Sequence, residues 1–425
     1  MAICRARASL SLLKTKSPFF QYVPLHGFSS SHFSSQFESV GFIGLGNMGS
    51  RMANNLIKNG YKVAVHDIGV ELSENGNMYV LRGDGMPQID VETLLNCNVM
   101  KMFSDMGVST KETPFEVAEA SDVVITMLPS SSHVLDVYTG PNGVLRCANL
   151  MRPQLLIDSS TIDPRTSRTV SVAVSNCILK EKKDHWEKPV MLDAPVSGGV
   201  LAAEAGTLTF MVWFLIFLRI PFHFLFLSWF HKFSLELVGF KAARLETRDP
   251  ILGERQKIFF IQVGGSEDAY LAAKPLFLSM GKNAIYCGGA GTGSAAKICN
   301  NLAMAVSMLG VSEAFALGQS LGISAGTLTK VLNTSSARCW SSDSYNPVPG
   351  VMEGVPASRN YAGGFASKLM AKDLNLAATS VEEAGLQCPL TYQAHEIYTE
   401  LCKDGHEIED FSCVFRHYYS GKDEL

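Results

Sequence analysis

The run VGFIGLGNMGSRMANNLIKNGYKVAVHD, from Val40 to Asp67, constrains this chain more than any other stretch. An apolar segment leads straight into Gly44, Gly46 and Gly49 with GxGxxG spacing. The first glycine permits a tight turn, the second lets a pyrophosphate approach the backbone, and the third lets the following helix pack close to the strand. The spacing predicts that helix through Met52, Leu56 and Ile57, ended by Gly60, and a second strand from Lys62 to His66. The amides of Gly44, Leu45, Gly46, Asn47, Met48 and Gly49 then face the phosphates at the helix N-terminus. Asp67 follows the glycines by about 20 residues, where a carboxylate accepts hydrogen bonds from the adenosine ribose hydroxyls. Its charge repels a 2′-phosphate, so NAD is expected rather than NADP.

Further strands are predicted at SDVVITMLP (Ser121 to Pro129), LLIDSST (Leu155 to Thr161), VMLDAPVSGG (Val190 to Gly199) and NAIYCGG (Asn283 to Gly289). Apolar runs of strand length stopped by small or turn residues suit a parallel sheet buried on both faces. The expected fold is therefore an α/β Rossmann-type doubly wound sheet domain. Leu128, Pro129 and Thr161, at strand C-terminal ends, are candidates for touching the nicotinamide or its ribose, against the alternative of ordinary loop residues. With 425 residues, 47% of them hydrophobic, wholesale disorder is excluded. A net charge of −4 offers no basic field for nucleic acid. The ten cysteines form no CxxC pair and no zinc spacing, so no metal is expected and the thiols read as reduced.

Two other segments can carry chemistry. In DAPVSGG, Ser197, Gly198 and Gly199 offer a hydroxyl and consecutive amides at a strand end, either an anion-binding concavity or a plain glycine turn. A glycine-rich run to Gly293 precedes a long apolar helix, expected over Gly293 to Gly322, that bears Lys297, Asn300 and Asn301. Lys297 and Asn301 project from one face, one turn apart. Met304 and Met308 continue it and read as core. An ammonium on such a face is paired or functional, because burying it alone costs several kcal/mol; the alternative is a lysine snorkelling at the helix start.

FIGLGNMGSRMANNL, DAPVSGGVLAAEAGTLTFMV, the GxxGxGxxxKxxxN pattern from Gly288 to Asn301, and RCWSSDSYNPVPGVMEGVPASRNYAGGFASKLMAKDLNLA from Arg338 together resemble the β-hydroxyacid dehydrogenase family. The resemblance covers most of Val40 to Leu425. It implies an all-helical C-terminal domain after the Rossmann domain, joined by the long helix, with a further helix over Ser367 to Gly385. It implies that Lys297 is catalytic, that Asn301 orients the substrate, that Ser197 to Gly199 hold its carboxylate, and that Lys372 lies by the nicotinamide. The implied reaction is NAD-dependent oxidation of the primary alcohol of a small 3-hydroxy acid to an aldehyde, Lys297 taking the hydroxyl proton. A homodimer or homotetramer is implied as well. His133 stands where relatives can carry an asparagine, so no cofactor contact is assigned to it.

Before Glu38 the chain has no acid, while Arg5, Arg7, Lys14 and Lys16 alternate with leucines and serines, the composition of an organellar transit segment. With the resemblance, residues 1–37 are expected to direct the protein to the mitochondrial matrix. The terminal Lys422-Asp423-Glu424-Leu425 spells a retention signal that nothing at the front supports, and is read as coincidence. Residues 38–290 are assigned to the NAD-binding domain and 291–425 to the helical one. Two pieces depart from the family pattern, residues 69–95 and 213–262. The second opens with WFLIFLRIPFHFLFLSWF, long enough for a membrane span but broken by Arg219, Pro221 and His223. It is read as translated intron rather than as a span, and no membrane partner is expected.

Overall fold

The computed structural model describes residues 37–67, 99–146, 150–181, 186–206, 208–209 and 261–419. Residues 1–36, 69–95 and 213–260, on which the transit and extra-segment readings fall, lie outside them, as does the C-terminal tetrapeptide. The strands are β1 Ser39–Ile43, β2 Lys62–His66, β3 Ser109–Thr110, β4 Val123–Thr126, β5 Leu150–Met151, β6 Leu155–Asp158, β7 Ile178–Leu179, β8 Val190–Asp193, β9 Leu208–Thr209, β10 Ile261–Gly264 and β11 Gly281–Gly288. Nine form one sheet in the order β3-β2-β1-β4-β6-β8-β10-β11-β9, and β5 pairs with β7 apart from it. Every pairing within that sheet is parallel except the bridge between Asp193 on β8 and Gly264 on β10.

Alternation along the central strands explains why they read as unbroken apolar runs. Phe42, Val123, Ile125, Leu155 and Ile157 enter the core on one face of the sheet. Their neighbours Ile43, Val124 and Leu156 enter the core on the other. Successive side chains point to opposite faces, so a sheet covered on both sides needs an apolar residue at every position. Helices Gly49–Lys58 and Glu267–Met280 cover the first face, and Pro114–Glu119, Ser131–Thr139 and Pro164–Ser175 the second. Phe37 is already packed in the first core.

After β11 every named element is helical. The long helix spans Thr292–Ser320, and the helix expected over Ser367 to Gly385 spans Ser367–Glu383. Ala305, Met308 and Leu309 of the long helix pack with Met370, Leu374, Ala394 and Tyr398 in a third core. Met308 is fully buried, and Met304 packs against this core while half-buried. The architecture is thus the expected doubly wound sheet followed by a helical region. Ile261 and Gln262, the last two residues of the 213–262 piece, lie in β10. The described strands on either side of that piece are β9, at the rim of the sheet, and β10, two positions further in.

Candidate active site

In the sheet, β1 lies between β2 and β4, so the chain winds one way to β3 and the other way to β8. This reversal places a switch point at the C-terminal ends of β1 and β4, the position at which folds of this kind bind ligands. Gly44 leaves β1 with a φ of +94°. Its amide donates to His66 O at 2.9 Å, and a Cβ there would sit 2.3 Å from Met127 O. The turn is thus squeezed between the ends of β2 and β4. A Cβ on Gly49 would fall 1.9 Å from Gly44 O, so helix and turn meet backbone to backbone. Gly49→Ala should therefore destabilise the fold by about 1–3 kcal/mol and weaken dinucleotide binding. Urea denaturation and NADH fluorescence titration check this; wild-type values in both would contradict it.

At Gly46, by contrast, a Cβ would meet no atom within 4 Å. The helix Gly49–Lys58 opens at Met48 with no side-chain cap and no acid in its first turn. The open space at Gly46 beside a helix start with a net positive dipole fits a pyrophosphate. Among the predicted contacts, Leu45 has its side chain fully buried in the core, so only its backbone can serve a ligand. Asn47 is exposed and Met48 half-buried. Asp67, immediately after β2, is buried with 3% exposure. Burial lowers the pKa of the neighbouring His66, whose Nδ1 lies 3.0 Å from Lys111 O.

The loops after β4 and β6 are tied to each other. Leu128 N donates to Ser160 Oγ at 2.8 Å, and Ser160 Oγ and Thr126 Oγ1 donate to Asp158 Oδ1 at 2.6 and 2.8 Å. Lys372 reaches over from the Ser367–Glu383 helix: its Nζ donates to Thr161 O at 2.9 Å and to Pro129 O at 3.4 Å. Three of the residues singled out in the sequence thus meet at one point.

Lys297 is 6% exposed, and among the described residues no hydrogen bond or ion pair is made to its Nζ. Desolvation pulls its pKa down to about 8, with the charge of Asp373 opposing and that of Lys372 adding to the drop. Asn301 donates through Nδ2 to Asp373 Oδ2 at 2.6 Å and accepts from Asn300 at 3.1 Å. Lys372 Nζ lies 3.5 Å from Asp373 Oδ1. Lys297, Asn301, Lys372 and Asp373 therefore form one electrostatic cluster beside the β4 and β6 loops. Ser197 and Gly198 are half-buried and Gly199 is exposed, just beyond β8 at the start of the short helix Gly199–Glu204. No hydrogen bond joins Ser197 to Lys297.

Asp373 was not singled out from the sequence, although a signal exists. Buried Met370, Asp373, Leu374, Ala377, Ala378 and Val381 form one stripe of their helix, and a carboxylate on such a stripe needs a partner.

Two family models match the chain. The one described as the NAD binding domain of 6-phosphogluconate dehydrogenase covers residues 39–82 and 89–212. The one described as the NAD-binding domain of NADP-dependent 3-hydroxyisobutyrate dehydrogenase covers 291–418. An Arabidopsis thaliana protein, "Probable 3-hydroxyisobutyrate dehydrogenase, mitochondrial", is 60% identical over the full length of both chains. This chain belongs to the 3-hydroxyisobutyrate dehydrogenase family. The mitochondrial 3-hydroxyisobutyrate dehydrogenase of Homo sapiens is 40% identical, over 89% of this chain and 85% of the relative. A structure of the Mycobacterium tuberculosis 3-hydroxyisobutyrate dehydrogenase with L-serine is similar at a TM-score of 0.65 and 30% identity, over 89% of this chain and 98% of that one. The protein is accordingly an oxidoreductase of this dehydrogenase family, using a nicotinamide dinucleotide, NAD or NADP. The first match ends at residue 212, one position before the 213–262 piece, and takes in residues 69–82 and 89–95 of the other piece.

Proposed function

We propose that this chain oxidises 3-hydroxyisobutyrate to methylmalonate semialdehyde with NAD, in valine degradation, and that Lys297 is the general base. The observation that carries the reading is Lys297 itself, a buried amine with no hydrogen-bond partner among the described residues and a pKa drawn down to about 8. A proton acceptor works best when its pKa lies near the working pH. When bound, the dinucleotide supplies the hydride acceptor. The chain's residues do the rest. Ser197 and the amides of Gly198 and Gly199 hold the substrate carboxylate. Asn301, fixed by Asp373, orients the hydroxyl. Lys297 Nζ takes the hydroxyl proton and, as an ammonium, stabilises charge developing on that oxygen. Lys372 keeps the Pro129 and Thr161 loops against the helical region, beside the space assigned to the nicotinamide. Gly44, Gly46, Gly49 and the amides between them take the pyrophosphate.

NAD is preferred to NADP on the strength of Asp67, whose buried carboxylate follows β2 and disfavours a phosphate on the adenosine ribose. An alternative within the same fold, reduction of glyoxylate or succinic semialdehyde with NADPH, is disfavoured by that residue. Residues 1–37 are proposed as a mitochondrial transit segment leading to the matrix, supported by relatives named as mitochondrial proteins. Residues 38–290 and 291–425 are proposed as the two domains, and a homodimer or homotetramer as the assembly. The pieces 69–95 and 213–262 are proposed as additions to the family pattern, and a splice form without activity is the competing reading of the chain.

Purified chain, beside a version lacking residues 213–260, is mixed with 3-hydroxyisobutyrate and either NAD or NADP. Absorbance at the reduced-nicotinamide band should rise fastest with NAD in both proteins. Faster turnover with NADP would overturn the cofactor assignment. Activity confined to the shortened protein would establish the splice-form reading.

A further inference from the structure

The long helix Thr292–Ser320 starts without a cap of its own, since its N-cap is Gly291, which has no side chain, and its first turn contains no acid. The leading amides of a helix need acceptors from elsewhere when they are buried. Here the amides of Gly291 and Ser294 donate to Oδ1 and Oδ2 of Asp193, each at 2.8 Å, from 98 and 101 positions away in the chain. Asp193 is the last residue of β8 and 2% exposed. Beyond it the chain passes through Ala194 and Val196, both packed in the first core, and reaches Ser197. One turn beyond Ser294 along the helix stands Lys297. The carboxylate is thus clamped to the helix at both oxygens, while its own strand exit is held by packing.

We propose that Asp193 is a positioning residue for the reaction: by capping the long helix from the end of β8, it sets the separation between Lys297 and the Ser197–Gly199 cradle. This rests on Lys297 as the base. A carboxylate can accept from two amides at once, one on each oxygen, with the added strength of a charged acceptor. An asparagine can accept on one oxygen, and its amino group would face the other helix amide. The helix would then shift or roll at its first turn, and Lys297 with it. Misplacement of a reacting group by about 1 Å costs on the order of 100-fold in rate. Asp158 stands opposite Asp193 on β6, in register, and is itself held by Thr126 and Ser160.

A double-mutant cycle separates positioning from plain stabilisation. Asp193→Asn should lower kcat about 10- to 100-fold while the NADH affinity, read by fluorescence titration, stays within about twofold of wild type. In the Lys297→Ala background, whose residual turnover is followed over hours, Asp193→Asn should cost nothing further, because the tethered amine it positions is gone. Equal loss in both backgrounds, or wild-type kcat in Asp193→Asn, would overturn the proposal. If Lys297→Ala itself kept the wild-type rate, the base assignment would fall instead, which is a distinguishable result. Should Asp193→Asn fail to fold, Asp193→Ser, whose shorter side chain reaches neither amide as the carboxylate does but sets no amino group against them, enters the same cycle, with the loss again expected in the Lys297 background alone.

Discussion

Lys297→Ala is expected to lower the rate of NADH formation from 3-hydroxyisobutyrate by roughly 10²- to 10⁴-fold, the usual contribution of a positioned acid or base. Dinucleotide affinity should hardly change, since the glycine turn and the helix start proposed to receive the phosphates are built from β1, β2 and Gly49–Lys58. The wild-type pH profile provides a second reading of the same group. Only the neutral amine accepts a proton, so oxidation should accelerate as pH rises through about 8 and level off above it. Aldehyde reduction needs the ammonium and should show the opposite limb. Stopped-flow absorbance in both directions, on wild type and variant, checks the pair of expectations. A variant that turned over at the wild-type rate would remove Lys297 from the chemistry.

The second large effect is on stability, and its sign is opposite. Burying the Lys297 ammonium lowers its pKa from 10.5 to about 8, which corresponds to about 3 kcal/mol spent on holding the charged form in the folded state. Lys297→Met removes the charge and keeps most of the volume. It should therefore raise the unfolding free energy at pH 7 by about 3 kcal/mol while abolishing turnover. The folded-state pKa is the lower one, so the native protein releases its proton first as pH rises. The wild type regains stability between about pH 8 and the unfolded value of 10.5, and the advantage of the variant disappears above that range. Urea denaturation at pH 7, 9 and 10.5 tests this. A variant no more stable than wild type at pH 7 would show that Lys297 has found a compensating partner.

Much of the fold was legible because its rules are local. Val40, Phe42 and Ile43 announce a strand covered on both faces, and Gly44, Gly46 and Gly49 announce the turn that follows, all within one short run. Lys297 and Asn301 could be paired from helical spacing alone. What escaped were the partners supplied from far away. Asp373 meets Asn301 across 72 positions, and Asp193 meets the start of the long helix across about a hundred. Nothing in DAPVSGG marks its aspartate as the cap of a helix that begins so much later. Leu45 illustrates the opposite limitation. Its amide lies inside the glycine motif and is counted among the expected cofactor contacts, whereas its side chain, beyond the turn at Gly44, enters the first core.

Thr161 and Lys372 stand 211 positions apart, yet the bond between them joins the sheet to the helical region. During synthesis, domains generally fold as units from the N-terminus. The glycine turn and the central strands are therefore complete while Lys372 is still inside the ribosome or unmade. If the proposed assignments hold, a chain ending before Lys372 is expected to lack turnover whatever its affinity for dinucleotide. On the proposed site assignment, catalysis waits for the helical region to dock, while the glycine turn does not.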